Sequence, residues 1–209
     1  MTQLINEIIS TILQIAVFTL IPFIFFLFRK DKSVTFYRYI GLYKPTTKSV
    51  LYVIVVSLIF VIAGIGLTFI DNSIKEALFS PHTVTGKLRL MGLTPISVTI
   101  LLIIALFKTS FAEEILFRGF IAKRLISKFG FNVGNAAQSA VFGLLHLLLF
   151  SLLIKTTFAA LAFILILSSF AGWIIGFIKE KYANGSIIPG WIAHGLGNTI
   201  SYFIIAFIL

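Results

Sequence analysis

Residues 95–128 read PISVTILLIIALFKTSFAEEILFRGFIAKRLISK. Thr94 and Pro95 are residue types suited to an N-cap and a first helical position. No proline interrupts the run before Gly130 and Asn132 mark its end. The stretch predicts one helix. At about 1.5 Å per residue that helix is longer than a bilayer is thick, so it tilts or protrudes. A charged side chain inside such a helix costs about 2.5–3.5 kcal/mol on insertion scales. The chain has seven acidic residues, and two of them, Glu113 and Glu114, are adjacent here. The rest of the chain reads as a scaffold that brings polar partners to this pair.

On an α-helix each residue advances about 100°, so Glu114 and Arg118, four apart, share a face and can pair. Glu113 lies about 140° from Arg118 and points elsewhere. The expectation is one carboxylate held by its own arginine and one free to face another helix. Lys108 does not share the Glu113 face, and the sequence offers it no partner.

The 209 residues are 59% hydrophobic and 11% charged, with a mean hydropathy of +1.08. A soluble domain carries about 25% charged residues. Apolar runs of spanning length recur, which predicts an all-α, polytopic transmembrane helical bundle of about six spans. The first run, from about Leu4 to Phe28, is too long for a signal-peptide core and reads as a retained span. There is no cysteine, which excludes disulfide and thiolate chemistry. The net charge of +10 does not point to nucleic acid, because the basic residues cluster beside the spans. They read as topology signals and as contacts with anionic membrane lipid.

Span one carries Pro22, a candidate kink. Arg29, Lys30, Lys32, Arg38, Lys44 and Lys48 follow around Asp31, and by the positive-inside rule this loop is cytoplasmic. Span two covers about Val50 to Ile70, and an external loop with an interfacial helix near Ile74 to Phe79 follows. His82, beside Pro81, reads as a solvated loop histidine. The long third span ends at Lys123, Arg124 and Lys128, again cytoplasmic, which puts Glu113 and Glu114 in the cytoplasmic half. Span four covers about Asn135 to Phe150, and Lys155 marks an external turn. Span five covers about Phe158 to Ile178, and its Gly172-xxx-Gly176 pattern suits tight helix packing. After a turn at Asn184-Gly185-Ser186, span six covers about Ile188 to Leu209 with Pro189 in its first turn. Basic residues divide eleven inside to four outside, with both termini outside. Residues 1–93 read as N-terminal spans and external loop, and 94–209 as the functional core of one membrane domain.

The intramembrane polar chemistry falls on three helices. One carries Glu113, Glu114 and Arg118, the next His146 with Phe142 one turn earlier, and the last His194 and Asn198 on one face. Counted from the cytoplasmic helix ends, all lie at similar depth. Taken singly, a histidine or asparagine in a span is packing glue, and Glu114–Arg118 is a structural ion pair. Together they are the parts needed to activate water and hold a developing oxyanion.

In order and spacing, Glu113-Glu114-xxx-Arg118, Phe142-xxx-His146 and His194-xxx-Asn198 resemble the three motifs of the CPBP family. These are membrane-embedded type II CAAX endopeptidases and bacterial relatives that include Abi proteins of bacteriocin self-immunity. The resemblance covers about residues 94–209. It implies hydrolysis of a peptide bond in a membrane-associated peptide or protein, near the cytoplasmic interface. By carry-over, Glu113 and His146 activate water, and His194 and Asn198 stabilise the oxyanion. Glu114, Arg118 and Phe142 support the site. The expected route needs no cofactor; the alternative places zinc on Glu113, His146 and His194, although no HExxH motif is present. The chain has fewer spans than the eight of eukaryotic and archaeal members, which favours a compact bacterial-type protein in the cytoplasmic membrane. Two other readings are a non-catalytic immunity or binding protein on the same fold and a small transporter, the latter disfavoured by the lack of a repeat.

Overall fold

The computed structural model describes residues 1–29, 33–70, 72–153 and 156–209. Lys30, Asp31, Lys32 and Lys155, assigned to loops from sequence, lie outside the described residues. Among those residues there is no strand. The elements are α1 (Thr2–Leu27), α2 (Phe36–Ile40), α3 (Thr47–Ile70), α4 (Asn72–Phe79), α5 (Val84–Met91) and α6 (Pro95–Leu102). α6 runs on through π-helical turns over Ile103–Phe111 and Glu114–Ala122 into α7 (Lys123–Leu153), and α8 (Phe158–Tyr182) and α9 (Ile188–Phe207) follow.

Four helical stretches have the length and apolarity to cross a membrane: Thr2–Leu27, Thr47–Gly66, Pro95–Leu153 and Phe158–Tyr182. The third holds a non-helical residue, Gly130, at φ 77°, a conformation that side chains other than glycine's disfavour. The helix doubles back there, and a Cβ on Gly134 would fall 2.4 Å from the Ile126 nitrogen. It therefore supplies two arms, 95–129 and 131–153. With α9, about 30 Å long at the usual rise, they complete the expected helical membrane bundle. Pro22 sits within α1 without ending it. The Thr94 N-cap is present as a reciprocal box: its hydroxyl accepts from Ser97 N, and the Ser97 hydroxyl accepts from Thr94 N. Two short helices, α2 and α5, escaped the sequence reading because each is too brief to show periodicity.

The two ends of the bundle have different cores. At one, Leu88, Ile100, Leu101, Ile104 and Ala206 pack with Leu4 and Phe207, which brings both termini together. At the other, Ile40, Ile115 and Ile187 pack with Tyr39 and Leu42. There the Ile187 N–H donates to Gly41 O (2.9 Å), and the Ser186 hydroxyl donates to Tyr43 O (2.5 Å). This end carries Arg38, Lys44, Lys123, Arg124, Lys128 and Lys181. Large apolar side chains along α1 and α3 face outward, as on a surface solvated by lipid.

Candidate active site

The helix that carries the glutamates departs from the expected geometry in a way that decides the site. It is π-helical on both sides of Ala112 and Glu113, and wider turns of this kind are rare and concentrated at functional sites. Wider turns release backbone carbonyls, and here side chains take them up. Thr109 Oγ1 donates to Ile104 O (3.0 Å) and Ser110 Oγ to Ala105 O (2.6 Å). Trp191 Nε1 of α9 donates to Leu106 O (2.6 Å), and Gln14 Nε2 of α1 to Lys108 O (2.9 Å). The unusual turn is thus satisfied by its own hydroxyls and by both neighbouring helices.

The 100° projection consequently needs correction. Glu114 does pair with Arg118, at 3.3 Å, and both side chains are fully buried. But Glu114 is not reserved for the arginine. Its Oε1 lies 3.6 Å from His194 Nδ1, while Glu113 Oε2 lies 3.8 Å from His194 Nε2. Successive side chains on a π turn are rotated less than on an α turn, so both carboxylates converge on one histidine. The approach depends on Gly190, where a Cβ would fall 2.4 Å from Glu114 Oε2.

Phe142 is the hub of the second motif. The Arg118 guanidinium stands 4.1 Å over its ring, and Phe117 meets it edge-on at 5.0 Å. The His146 and His194 rings lie 4.3 and 6.2 Å from it. Phe142 therefore holds the arginine and both histidines in one cluster. His146 Nδ1 is 2.9 Å from Phe142 O. A carbonyl only accepts, so in the neutral ring Nδ1 carries the proton and Nε2 is the free acceptor.

A cavity of about 210 Å³ opens beside the histidines, walled by α3, the 131–153 arm, α8 and α9. His146, His194, Gly197 and Asn198 lie on its wall, with Ser57, Ser168 and Ser201 among apolar side chains. Glu113 is not on that wall; it meets the site through His194. Gly197 has open space around it, whereas Gly195 faces Leu106 at 2.9 Å and serves helix contact. Gly176 and Gly172 pack against Asn135 and Ser139, as the GxxxG spacing implied.

Asn198 reaches the glutamate helix, its Nδ2 lying 3.0 Å from Thr109 Oγ1 and 3.3 Å from Ser110 Oγ. Neither hydroxyl was singled out from sequence, although two adjacent hydroxyl residues just before the glutamates were a readable signal. Lys108, left without a partner by the sequence, pairs with Glu7 of α1 (2.6 Å) and donates to Ser10 Oγ (2.9 Å). Lys179 is also buried, and it pairs with Glu180. Among the described residues no three histidine, cysteine, aspartate or glutamate side chains are placed to hold a metal ion. The chemistry below is derived from side chains alone.

No curated protein and no solved structure matches the chain. Among protein families, the one described as type II CAAX prenyl endopeptidase Rce1-like matches residues 95–200. The matched stretch starts at the capped proline of α6, spans the glutamates, Arg118, Phe142 and both intramembrane histidines, and ends just past Asn198. On that match over half its length, the chain belongs to the type II CAAX prenyl endopeptidase Rce1-like family.

Proposed function

We propose that the protein is an intramembrane endopeptidase that hydrolyses a peptide bond of a membrane-associated peptide or protein, without a metal cofactor. The observation that carries this reading is the convergence of Glu113 and Glu114 on His194 beside His146, within a membrane-spanning bundle. Glu113 is the general base, and His146 Nε2 holds the attacking water. The proton passes from water to Glu113 as the water oxygen bonds to the scissile carbonyl carbon. The carbonyl oxygen becomes an oxyanion, and His194, with Asn198 beside it, forms the pole that holds this peptide unit. The proton then moves to the peptide nitrogen, the C–N bond breaks, and an amine and a carboxylic acid leave.

Glu114 and Arg118 support His194 and Phe142 rather than touch substrate. Both His194–carboxylate distances exceed hydrogen-bond length; Nδ1 is buried on the Glu114 side, and Nε2 is the ring nitrogen left for a substrate. The basic end of the bundle is the cytoplasmic end, and cleavage falls in the cytoplasmic half of the membrane. The residues of 94–209 form the protease core, and a bacterial cytoplasmic membrane is the proposed setting.

The test is cleavage of a library of membrane-bordering peptides by purified protein in detergent. Wild type, Glu113→Gln and His146→Ala are compared with and without a strong chelator. Wild type should cleave with the chelator present, and each variant should lose about a hundredfold or more in rate. Loss on chelation with recovery on zinc would overturn the metal-free route. No cleavage by any folded form would leave the immunity or binding reading instead.

A further inference from the structure

Arg29, Lys123, Arg124 and Lys128 lie far apart in sequence, yet they line one cavity of about 430 Å³ at the basic end of the bundle. Tyr39 and Ser127 stand beside them, and among the described residues of the wall none is acidic. A topology signal needs basic residues near a span end. It does not need them to converge, and like charges brought together repel. Here built contacts hold them together. The Arg124 and Arg29 guanidiniums stand 4.0 and 5.0 Å from the centre of the Tyr39 ring, so one ring carries two cations. Arg124 also stacks on Phe120 at 4.4 Å and donates to Phe120 O at 3.3 Å. Lys123 Nζ donates to Arg38 O (3.3 Å) and Tyr39 O (3.4 Å), carbonyls that leave its charge unneutralised. Among the described residues no carboxylate is in ion-pair reach of Lys123, Arg124 or Lys128. The contacts lead on to an apolar surface. Phe120 meets Phe25 of α1 at 5.0 Å, and Phe25 and Leu27 are mostly exposed.

We propose that this cavity binds the headgroup phosphate of an anionic phospholipid, whose acyl chains lie along the exposed Phe25 and Leu27 side of α1. A guanidinium presents a planar fork that matches two phosphate oxygens, and lysines add point charge. A headgroup that carries its own ammonium would bring a fifth cation among four. By the positive-inside rule the basic end meets the cytoplasmic leaflet, where anionic lipids are found. The bound phosphate would tie the end of α1 and Tyr39 of α2 to the start of α7, which continues directly from the glutamate helix. The site shares no residue with the histidine cavity and does not depend on peptide hydrolysis.

The experiment titrates purified protein in a neutral detergent with phosphatidylglycerol or phosphatidylcholine of matched chains, and counts bound lipid by native mass spectrometry. Inorganic phosphate is added as a competitor. Phosphatidylglycerol should bind roughly tenfold or more tightly than phosphatidylcholine. Arg124→Gln should weaken it about tenfold or more, the value of one hydrogen bond to a charged group, and Arg124→Lys should recover part of the loss. Ser127→Asp places a carboxylate in the wall at an exposed position. It removes no packing, should weaken binding by a similar factor, and tests the site even where Arg124→Gln fails to fold. Lys48→Gln removes one exposed charge at the same end, outside the cavity. It should leave the affinity within about twofold, since a remote charge is screened. Equal binding of the two lipids, or equal losses in Ser127→Asp and Lys48→Gln, would overturn the site. Displacement by inorganic phosphate at lipid-like concentrations would make it a soluble-anion site and overturn the lipid. Folded protein that carries no phosphatidylglycerol would overturn both.

Discussion

Arg118 and Glu114 are both fully buried, four residues apart, and joined at 3.3 Å. None of the Arg118 side-chain nitrogens makes a hydrogen bond among the described residues, so charge and the Phe142 ring hold the guanidinium. Removing one partner strands the other in a low-dielectric interior. Arg118→Met is expected to destabilise the fold by about 3–5 kcal/mol, and Glu114→Leu together with Arg118→Met to recover most of that loss. Denaturant unfolding in detergent measures both, and a double variant no more stable than the single one would contradict the pair. The pairing was legible in sequence because four-residue spacing survives a modest change in helical twist. The second contact of Glu114, to His194, was not. It depends on the π turns, and these depend on carbonyl partners from α1 and α9 that no local sequence window contains.

At the scale of elements, glycine decides which helices can carry the site. α9 comes close enough for Glu114 to reach His194 because Gly190 has no side chain. A Cβ there would press on Glu114 Oε2 at 2.4 Å and on Ile175 at 2.8 Å. Gly190→Ala is expected to push the carboxylate aside and lower cleavage about a hundredfold, the scale of loss for a displacement near 1 Å. Gly64→Ala on α3, where a new Cβ meets nothing within 4 Å, should cleave as wild type and gain up to about 1 kcal/mol from helix propensity. Equal rates for the two variants in the peptide assay would show that the Glu114–α9 approach is irrelevant to catalysis. The sequence shows Gly190, Ala193, Gly195 and Gly197 as small residues along α9. It did not tell which glycine faces a helix and which faces open space, because that depends on the rotation of α9 in the bundle.

The whole molecule has one basic end and one end where both termini meet. Long apolar stretches and their basic flanks made the helical bundle readable, since lipid demands both. The double-back at Gly130 was readable as a break. With no native cysteine, orientation can be tested with single substitutions at two exposed positions, Lys44→Cys and His82→Cys. A membrane-impermeant thiol reagent added outside intact cells should label the His82 position and spare the Lys44 position; the opposite pattern would invert the topology. The hairpin at Gly130 has a further consequence, for the order of assembly. Arg118 and Phe117 on one arm meet Phe142 on the other across fewer residues than separate either from α9, and contacts more local in sequence form earlier. His194 and Asn198 arrive later, on α9. During synthesis the membrane therefore holds a half-built centre, with Arg118 seated on Phe142 and no second histidine for the carboxylates. On the endopeptidase reading proposed above, hydrolysis would wait for α9 to dock, and the nascent chain would be spared.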